Sequence, residues 1–577
     1  MKKHFLGLML IALFLAACAA PRESVSTPAI AEQTPVMVEA AAATPTPTPS
    51  HTPSATPTET LIPPTPTPTA TLTPVPLRAW IDPALPDDVR SLVDGALDKL
   101  DVLYTHTADQ ADVRVGADLS HTILHRTYAL VVPFPTLVDE VSWADVRSFW
   151  AGEEGALTAI SRTSQTPTLY IAVDDLDMMK LLLGEPAEEA PIEVAARGEL
   201  SDSAWNARPH AWAIVPFDRL KPQWKVLHID GVNVLERELT DYPLASRIGV
   251  EGSAADEFLA VLLPDGEPLI NRDESRMTSL IMTGVTAMVR AMAHEMEVHG
   301  VLYPAEYVGP LLRSGDITHI SNEIPFAANC PPPDRASKSL VFCSDPKYIE
   351  LMREVGTDVV ELTGNHFQDY GSEATLMTLE MYKEEGWPYF GGGANLEEAR
   401  RPITMTHNGN TFSFMGCNPV GPHYAWATED RPGAAPCDYE YMYAELERLK
   451  DEVDVPIVTW QYWEFYHYRP TPQQQADFRA MVNAGAKIVS GSQAHHPQAI
   501  EFYDGAFIHY GLSNLFFDQM WSLGTRQVVI DRHTIHKGRH LSTELFTYMI
   551  ENWSQPRPTT DQEREELLIA VFGASDW

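Results

Sequence analysis

The sequence predicts an α/β fold, and three features predict it. Short, apolar, β-branched runs recur along the second half of the chain: Ile317-Thr318-His319-Ile320-Ser321, residues 358–363, Val455-Pro456-Ile457-Val458-Thr459-Trp460, Lys487-Ile488-Val489-Ser490 and residues 507–512. Runs of this kind read as strands buried on both faces, as in parallel sheets. Capped amphipathic segments lie between them, which argues for strand–helix–strand units with right-handed crossovers. Polar residues follow directly where the runs stop: Asn322-Glu323, Gly364-Asn365-His366, Gln461, residues 491–496 and Ser513-Asn514. The carboxyl ends of strands are where open α/β sheets place their ligands.

Taken in order, residues 1–18 read as a targeting segment. Lys2 and Lys3 give a basic start, residues 5–14 an apolar run too short to span a bilayer, and Leu15-Ala16-Ala17-Cys18 matches a bacterial lipobox. The match implies cleavage before Cys18 and lipidation of that residue; an uncleaved anchor with an incidental cysteine is the rival reading. Either one places the mature chain on the extracytoplasmic face of the cell membrane, with the membrane as a partner. Residues 19–76 read as a tether. Repeats such as Thr44-Pro45-Thr46-Pro47 leave no apolar face and favour extended, solvated chain. The formal charge of −38 argues against a nucleic-acid partner, because phosphate backbones demand basic patches.

Residues 77–265 read as a first α/β domain. Residues 77–81, 113–115 and 128–133 have strand character, residues 86–100 form an amphipathic helix, and Ser142 caps a helix that ends before Gly152. The stretch from Val141 through Trp143, Phe149 and Trp150 to Gly152, with residues 212–217 downstream, resembles periplasmic phosphate-type solute-binding proteins. For Trp143, Phe149, Trp150 and Trp212 a packing role outweighs a ligand role. A polar stretch, 265–276, follows and is the expected site of limited proteolysis between two folded parts.

From residue 278 to 577 the units become regular. Asp345-Pro346 opens one helix and Thr471-Pro472-Gln473-Gln474 is a capping box for another. Asp504-Gly505 is a hairpin turn. Setting Cys18 aside, Cys330, Cys343, Cys417 and Cys437 remain, in two local pairs. Disulfides Cys330–Cys343 and Cys417–Cys437 each close a short loop and suit an extracytoplasmic protein. A zinc site is the rival, although close Cys-x-x-Cys spacing is missing.

Over residues 278–535 the chain resembles the CapA family of capsule and poly-γ-glutamate synthesis proteins. The matching blocks are Asn322-Glu323, Asn365-His366 with Asp369 and Gly371, Glu464 with Tyr466, Gly491 with His495, Gln498-Ala499-Ile500-Glu501, and Asn514 with Phe517-Asp518. The resemblance implies a calcineurin-like metallophosphatase sandwich behind the smaller solute-binding-like domain. It implies metal ligands Glu323, Asn365, His366, Gln461 and His495, catalytic roles for His366 and His495, and substrate contacts from Glu464, Tyr466 and Asn514. It also implies a divalent cation. The chain departs from the family pattern at several points. Val285 stands where the first block has aspartate, Gln461 replaces a histidine, and Ser492 and Gln493 replace a histidine pair, with His496 one residue out of step. One carboxylate, two imidazoles and two amides suit at most one firmly bound ion, amides being weak ligands. Two functions follow. One is a metal-assisted enzyme acting on a surface polymer such as poly-γ-glutamate or a polysaccharide. The other is a lipid-anchored binding protein on an enzyme-like fold, with the aromatics at residues 460–468 as a wall for polymer or peptide.

Overall fold

The structure is a computed structural model that describes residues 75–577. The targeting segment, with Cys18, and nearly all of the tether lie outside the described residues. Three large sheets organise the rest. In the first, the strands run Val102–Tyr104, Leu77–Ile81, Val113–Ala117, Ala245–Glu251, His121–Pro133, Ala211–Pro216, Thr168–Ala172, Ile192–Ala195. Leu77–Ile81 is parallel to both neighbours, whereas Ala245–Glu251 is antiparallel to both. Ser142 caps helix Trp143–Trp150 as expected, its hydroxyl accepting from the Asp145 N–H at 3.0 Å. Phe149 and Trp212 are buried and meet edge to face with centroids 4.8 Å apart, so these aromatics pack the core.

The other two sheets face one another. One runs Tyr389–Phe390, Val359–Glu361, Ile317–Asn322, Met277–Met282, Gln527–His536, Arg539–Glu551, Gln555–Pro558. Its partner runs Ile403–His407, Asn410–Cys417, Val455–Trp460, Ile488–Gly491, Ala506–His509, Ile500–Tyr503. Strand alternation sorts their side chains. Leu280, Val359, Phe414, Ile457, Ile488 and Phe507 point between the sheets into one core. Their chain neighbours Ile281 and Val360 pack outward under helices Arg290–His299, Ala305–Leu312 and Gly371–Glu385. On the far side Met415, Val458, Val489 and Ile508 pack under Tyr439–Leu449 and Pro472–Ala484. The result is a helix–sheet–sheet–helix sandwich, the arrangement that the metallophosphatase resemblance implies.

The space between the sheets turns polar toward the carboxyl ends of the parallel strands. Thr459, Ser490 and His509 sit in register across three strands. Opposite them, buried His319 lies 3.2 Å from the Glu361 carboxylate, and buried His509 lies 2.8 Å from Asp531. This polar layer lies one side-chain step below Gln461, Ser492 and Glu323.

One local expectation is modified. Thr471 does cap Pro472–Ala484, accepting from the Gln474 N–H at 3.1 Å, but the Gln474 side chain does not return to the cap. It is buried and donates instead to Gln498 Oε1 and the Tyr510 carbonyl, both at 2.9 Å, because tying the helix to the sheet satisfies it inside the core. The hairpin turn forms at Asp504-Gly505, both in the left-handed region that such turns require. Cys330–Cys343 and Cys417–Cys437 are disulfides, with Cα atoms 5.8 and 5.0 Å apart, which leaves these sulfurs nothing for zinc.

The stretch 265–276 is tied down by Arg272, which is buried and donates to the carbonyls of Val234 and Arg237 at 3.1 and 3.0 Å. Arg532 and Asn233 add contacts across the junction, to Glu236 and Glu544 respectively.

Candidate functional site

Four strand ends build the candidate site, two from each facing sheet. Glu323 follows Ile317–Asn322, and Asn365 and His366 follow Val359–Glu361. Gln461 follows Val455–Trp460, and Gln493 and His495 follow Ile488–Gly491. The sequence placed these residues at the edge of one central sheet. The structure places them in the cleft between two, because the stacked sheets end their parallel strands on the same side.

Gln461 is the hub. Its buried Nε2 lies 2.8 Å from Glu323 Oε1 and 3.1 Å from Asn365 Oδ1, and it also bonds Gln493 Oε1. Its own Oε1 accepts from the Ser492 hydroxyl at 2.8 Å, which fixes the amide's orientation. Three acceptors share two N–H bonds, and Glu323 Oε2 is left buried with no partner. That oxygen is the unpaired carboxyl oxygen of the pocket.

The two histidines are held by different partners. His366 Nδ1 donates to Asp369 Oδ2 at 2.7 Å, and Asp369 is itself fixed by the Phe342 N–H at 2.8 Å and the Tyr424 hydroxyl at 3.0 Å. His495 Nδ1 donates to Asn514 Oδ1 at 2.7 Å, and Asn514 is buried, with its NH2 spent on the Thr525 carbonyl and Gln519. Asn514 therefore positions His495, and both imidazoles keep Nε2 free. His495 has φ of 49°, a left-handed conformation that a histidine holds only where its surroundings impose it. His496 turns away, donating to its neighbour Pro497's carbonyl at 2.8 Å with its ring against Tyr468. Glu464 is exposed and takes a hydrogen bond from the Tyr466 hydroxyl; Tyr466 in turn stands edge-on to exposed Trp521.

Below this polar layer lies an apolar floor of Val285, Ala287, Val289, Ile324, Phe342 and Phe517. Phe342 packs at a tilt against His366, with centroids 4.3 Å apart, and Phe517 likewise against His495 at 5.4 Å. Between the two rings sits the Arg290 guanidinium, 4.7 Å from Phe342 and 5.2 Å from Phe517, clamped by both Asp518 oxygens. Arg290, Phe342 and Tyr424 were not singled out in the sequence, and Gln493 appeared there only as the replacement of a histidine. Asp518, which holds Arg290, did appear there, in the Asn514 block.

Burial sets the charges. It pushes Glu323 up to about 7, opposed by the positive His366. It pushes His495 down to about 4, against the Asn514 hydrogen bond, so this ring is neutral at neutral pH. For His366 burial also disfavours the charge, but the Asp369 hydrogen bond and the Glu323 carboxylate outweigh it and hold the pKa above its ordinary value. The pocket thus presents one imidazole whose protonated form is favoured, one neutral imidazole, and one carboxyl poised to gain or lose a proton near neutrality.

Gly364 makes this geometry attainable. A Cβ there would sit 2.6 Å from the Glu323 Cα and closer still to its carbonyl oxygen, both backbone atoms that cannot step aside. Gly364→Ala is expected to destabilise the protein by about 3 kcal/mol or more, the scale of severe overpacking, and to displace Glu323 from Gln461. Urea unfolding, with the histidine resonances as a probe of the pocket, measures both.

Residues 279–519 match the family model described as bacterial capsule synthesis protein PGA_cap. Over 298 residues, 51% of this chain and 72% of the relative, the sequence is 26% identical to the capsule biosynthesis protein CapA of Bacillus anthracis. The match to the CapA family lies in residues 279–519. It is also 25% identical to the PGA biosynthesis protein CapA of Bacillus subtilis strain 168 over 274 residues, 47% of this chain and 71% of that one. Among solved structures, a putative 5′-nucleotidase from Staphylococcus aureus is similar over 51% of this chain and 58% of its own, at 13% identity and a TM-score of 0.31. An ABC-type phosphate transport receptor from Vibrio cholerae is similar over 32% and 93%, at 11% identity and a TM-score of 0.25.

In this CapA-like region the donor set does not fit a bridged pair of metal ions. Such a pair requires several carboxylates and imidazoles converging on the ions. Among the described residues no three His, Cys, Asp or Glu side chains form such a group. Asp369 is spent on His366, Phe342 and Tyr424, and Asp518 on Arg290 and the Ala291 N–H. Val285 belongs to the apolar floor.

Proposed function

We propose that this protein acts at the cell surface in capsule or poly-γ-glutamate synthesis or attachment, through a degenerate metallophosphoesterase-like site. The observation that carries the reading is the Gln461 network. In a CapA-like region, it gathers one unpaired carboxyl oxygen, amides and two oriented imidazoles where strand ends meet. Such a set recognises carboxylates and amides through a few directed hydrogen bonds. His366 Nε2 is the donor that meets an anionic group, Glu323 the partner for an N–H, and His495 Nε2 a neutral acceptor. The exposed rim of Glu464, Tyr466 and Trp521 adds a surface on which an extended polymer lies. The enzymatic form of this proposal adds a single divalent ion at the Gln461 network, with the unpaired Glu323 Oε2 as its carboxylate donor. The chain is anchored by lipid on Cys18 and faces away from the cytoplasm.

A non-catalytic binding protein for a surface polymer or peptide is the second reading. The closed internal pairing of Asp369 and Asp518 favours it, since no spare carboxylate stands ready for a second ion. Metal analysis of the purified protein before and after chelation separates the two. The enzymatic form predicts about one equivalent of divalent metal and a chelator-sensitive turnover of surface polymer. The binding form predicts chelator-insensitive affinity for poly-γ-glutamate that falls when His366 is replaced by alanine. Loss of neither metal nor polymer affinity in the His366→Ala variant would sink both. For the anchor, Cys18→Ser is expected to move the protein from the membrane fraction to the soluble one, or to block its processing; fractionation that stays on the membrane with normal processing rules the lipid out.

A further inference from the structure

A cleft of about 300 Å³ shares no residue with the pocket around Glu323. It lies where the first sheet meets the sandwich, a kind of junction at which ligand sites are common. Phe134 and Lys225 come from the first sheet's side; Phe546, Arg564, Leu568 and Phe572 come from strand Arg539–Glu551 and helix Asp561–Ala574. One side is apolar: Phe134 and Leu568 are buried, and Phe546 and Phe572 half-buried.

The other end is cationic. Lys225 Nζ and an Arg564 nitrogen both lie on the same oxygen of Asp139, at 2.6 and 2.8 Å. Two cations therefore share one carboxylate oxygen at that end. Lys225 is largely shielded from water, with 14% of its side chain exposed, and its further bond is to the Thr136 carbonyl at 2.9 Å. Burial pulls its pKa down to about 8 against the pull of Asp139, so its charge is under-solvated. Glu544, the cleft's other carboxylate, shares Arg532 with the exposed Glu236. Glu544 is held by Arg532 at 2.8 and 3.0 Å and by Asn233 at 2.9 Å, with His228 at 3.8 Å.

We propose that this cleft binds a small amphipathic carboxylate, its acyl or aryl body against Phe546, Leu568 and Phe572 and its carboxylate on Lys225 and Arg564. The volume is at the lower end of the range for ligand pockets, roughly 300–1,000 Å³, which sets the size of the guest. The Lys225 and Arg564 pair sets its charge, and the aromatic wall favours a guest with an apolar body. Because the walls come from both sides of the junction, the guest would brace one against the other.

Octanoate is the test probe, titrated by calorimetry into the full-length protein, with octanol and octylamine as controls. Octanoate is expected to bind with a stoichiometry of one, at least tenfold tighter than octanol, and octylamine not at all. Lys225→Met, which keeps the stem and removes the charge, should weaken octanoate at least tenfold and leave octanol unchanged. Leu568→Trp fills the cleft without touching a charge and should abolish octanoate binding. Circular dichroism shows whether each variant is folded. Absence of octanoate binding to the parent protein, equal binding of octanol and octanoate, or undiminished octanoate affinity in a folded variant would overturn the proposal. The comparison of the three probes on the parent protein decides it even if neither variant folds.

Discussion

Glu323→Gln is expected to stabilise the metal-free protein above pH 7 and to leave it unchanged near pH 4. Burial raises the Glu323 pKa from 4.5 to about 7. The folded state therefore holds a proton more tightly than the unfolded chain does. Below pH 4.5 both states are protonated and the carboxyl adds no penalty. As pH rises through the window from 4.5 to 7, the unfolded state gives up its proton first, and ionisation increasingly favours unfolding. A difference of this size corresponds to about 3 kcal/mol. Glutamine matches the protonated carboxyl in shape, accepts from Gln461 Nε2 in the same way, and never ionises. Denaturant unfolding in chelator at pH 4, 7 and 8.5 should show a gap between variant and parent that opens with pH. A gap independent of pH would mean that Glu323 is ordinary in its titration. Repeating the series with added divalent metal serves a second purpose: if an ion sits on Glu323, the parent alone regains stability.

The second large effect concerns Val285→Asp. Val285 pairs with Ser321 on one side and Asn514 on the other, and its side chain is sealed among Ala287, Val289, Ile324, Phe342 and Phe517. An aspartate there buries a charge with no partner, and the expected loss is roughly 3–5 kcal/mol, the scale for an uncompensated buried charge. The variant also restores the carboxylate of the family's first block. If that oxygen reaches the pocket, manganese or zinc should raise the melting temperature of the variant and not that of the parent. A metal-free variant as stable as the parent would show that Val285 does not seal the floor.

Much of the pocket was legible from its strand ends. An apolar run that stops at a polar residue locates a strand's carboxyl end, and Glu323, Asn365, Gln461 and His495 all carry that signature. The division of these strands between two sheets was not legible, because a run such as 455–460 says how deeply it is buried and not which neighbour it pairs with. Arg290 and Phe342 gave no local signal either. Arg290 opens a helix and Phe342 ends a proline-rich loop; each matters through contacts with residues far away in sequence. Gln474 shows the same limit on a smaller scale. Its place in a capping box was readable, but its side chain was claimed by Gln498 and Tyr510 across the core.

Phe342 directly follows the exposed Leu340-Val341 tip and directly precedes Cys343, whose bond to Cys330 closes the loop. Its ring lies on His366 and its N–H grips the carboxylate that orients His366. Thiol oxidation is therefore upstream of the imidazole. With both thiols reduced, Phe342 is expected to be held less firmly, leaving the Tyr424 hydroxyl alone to fix the carboxylate beside His366. A protein kept among reductants is thus expected to keep its fold while its pocket is less ordered.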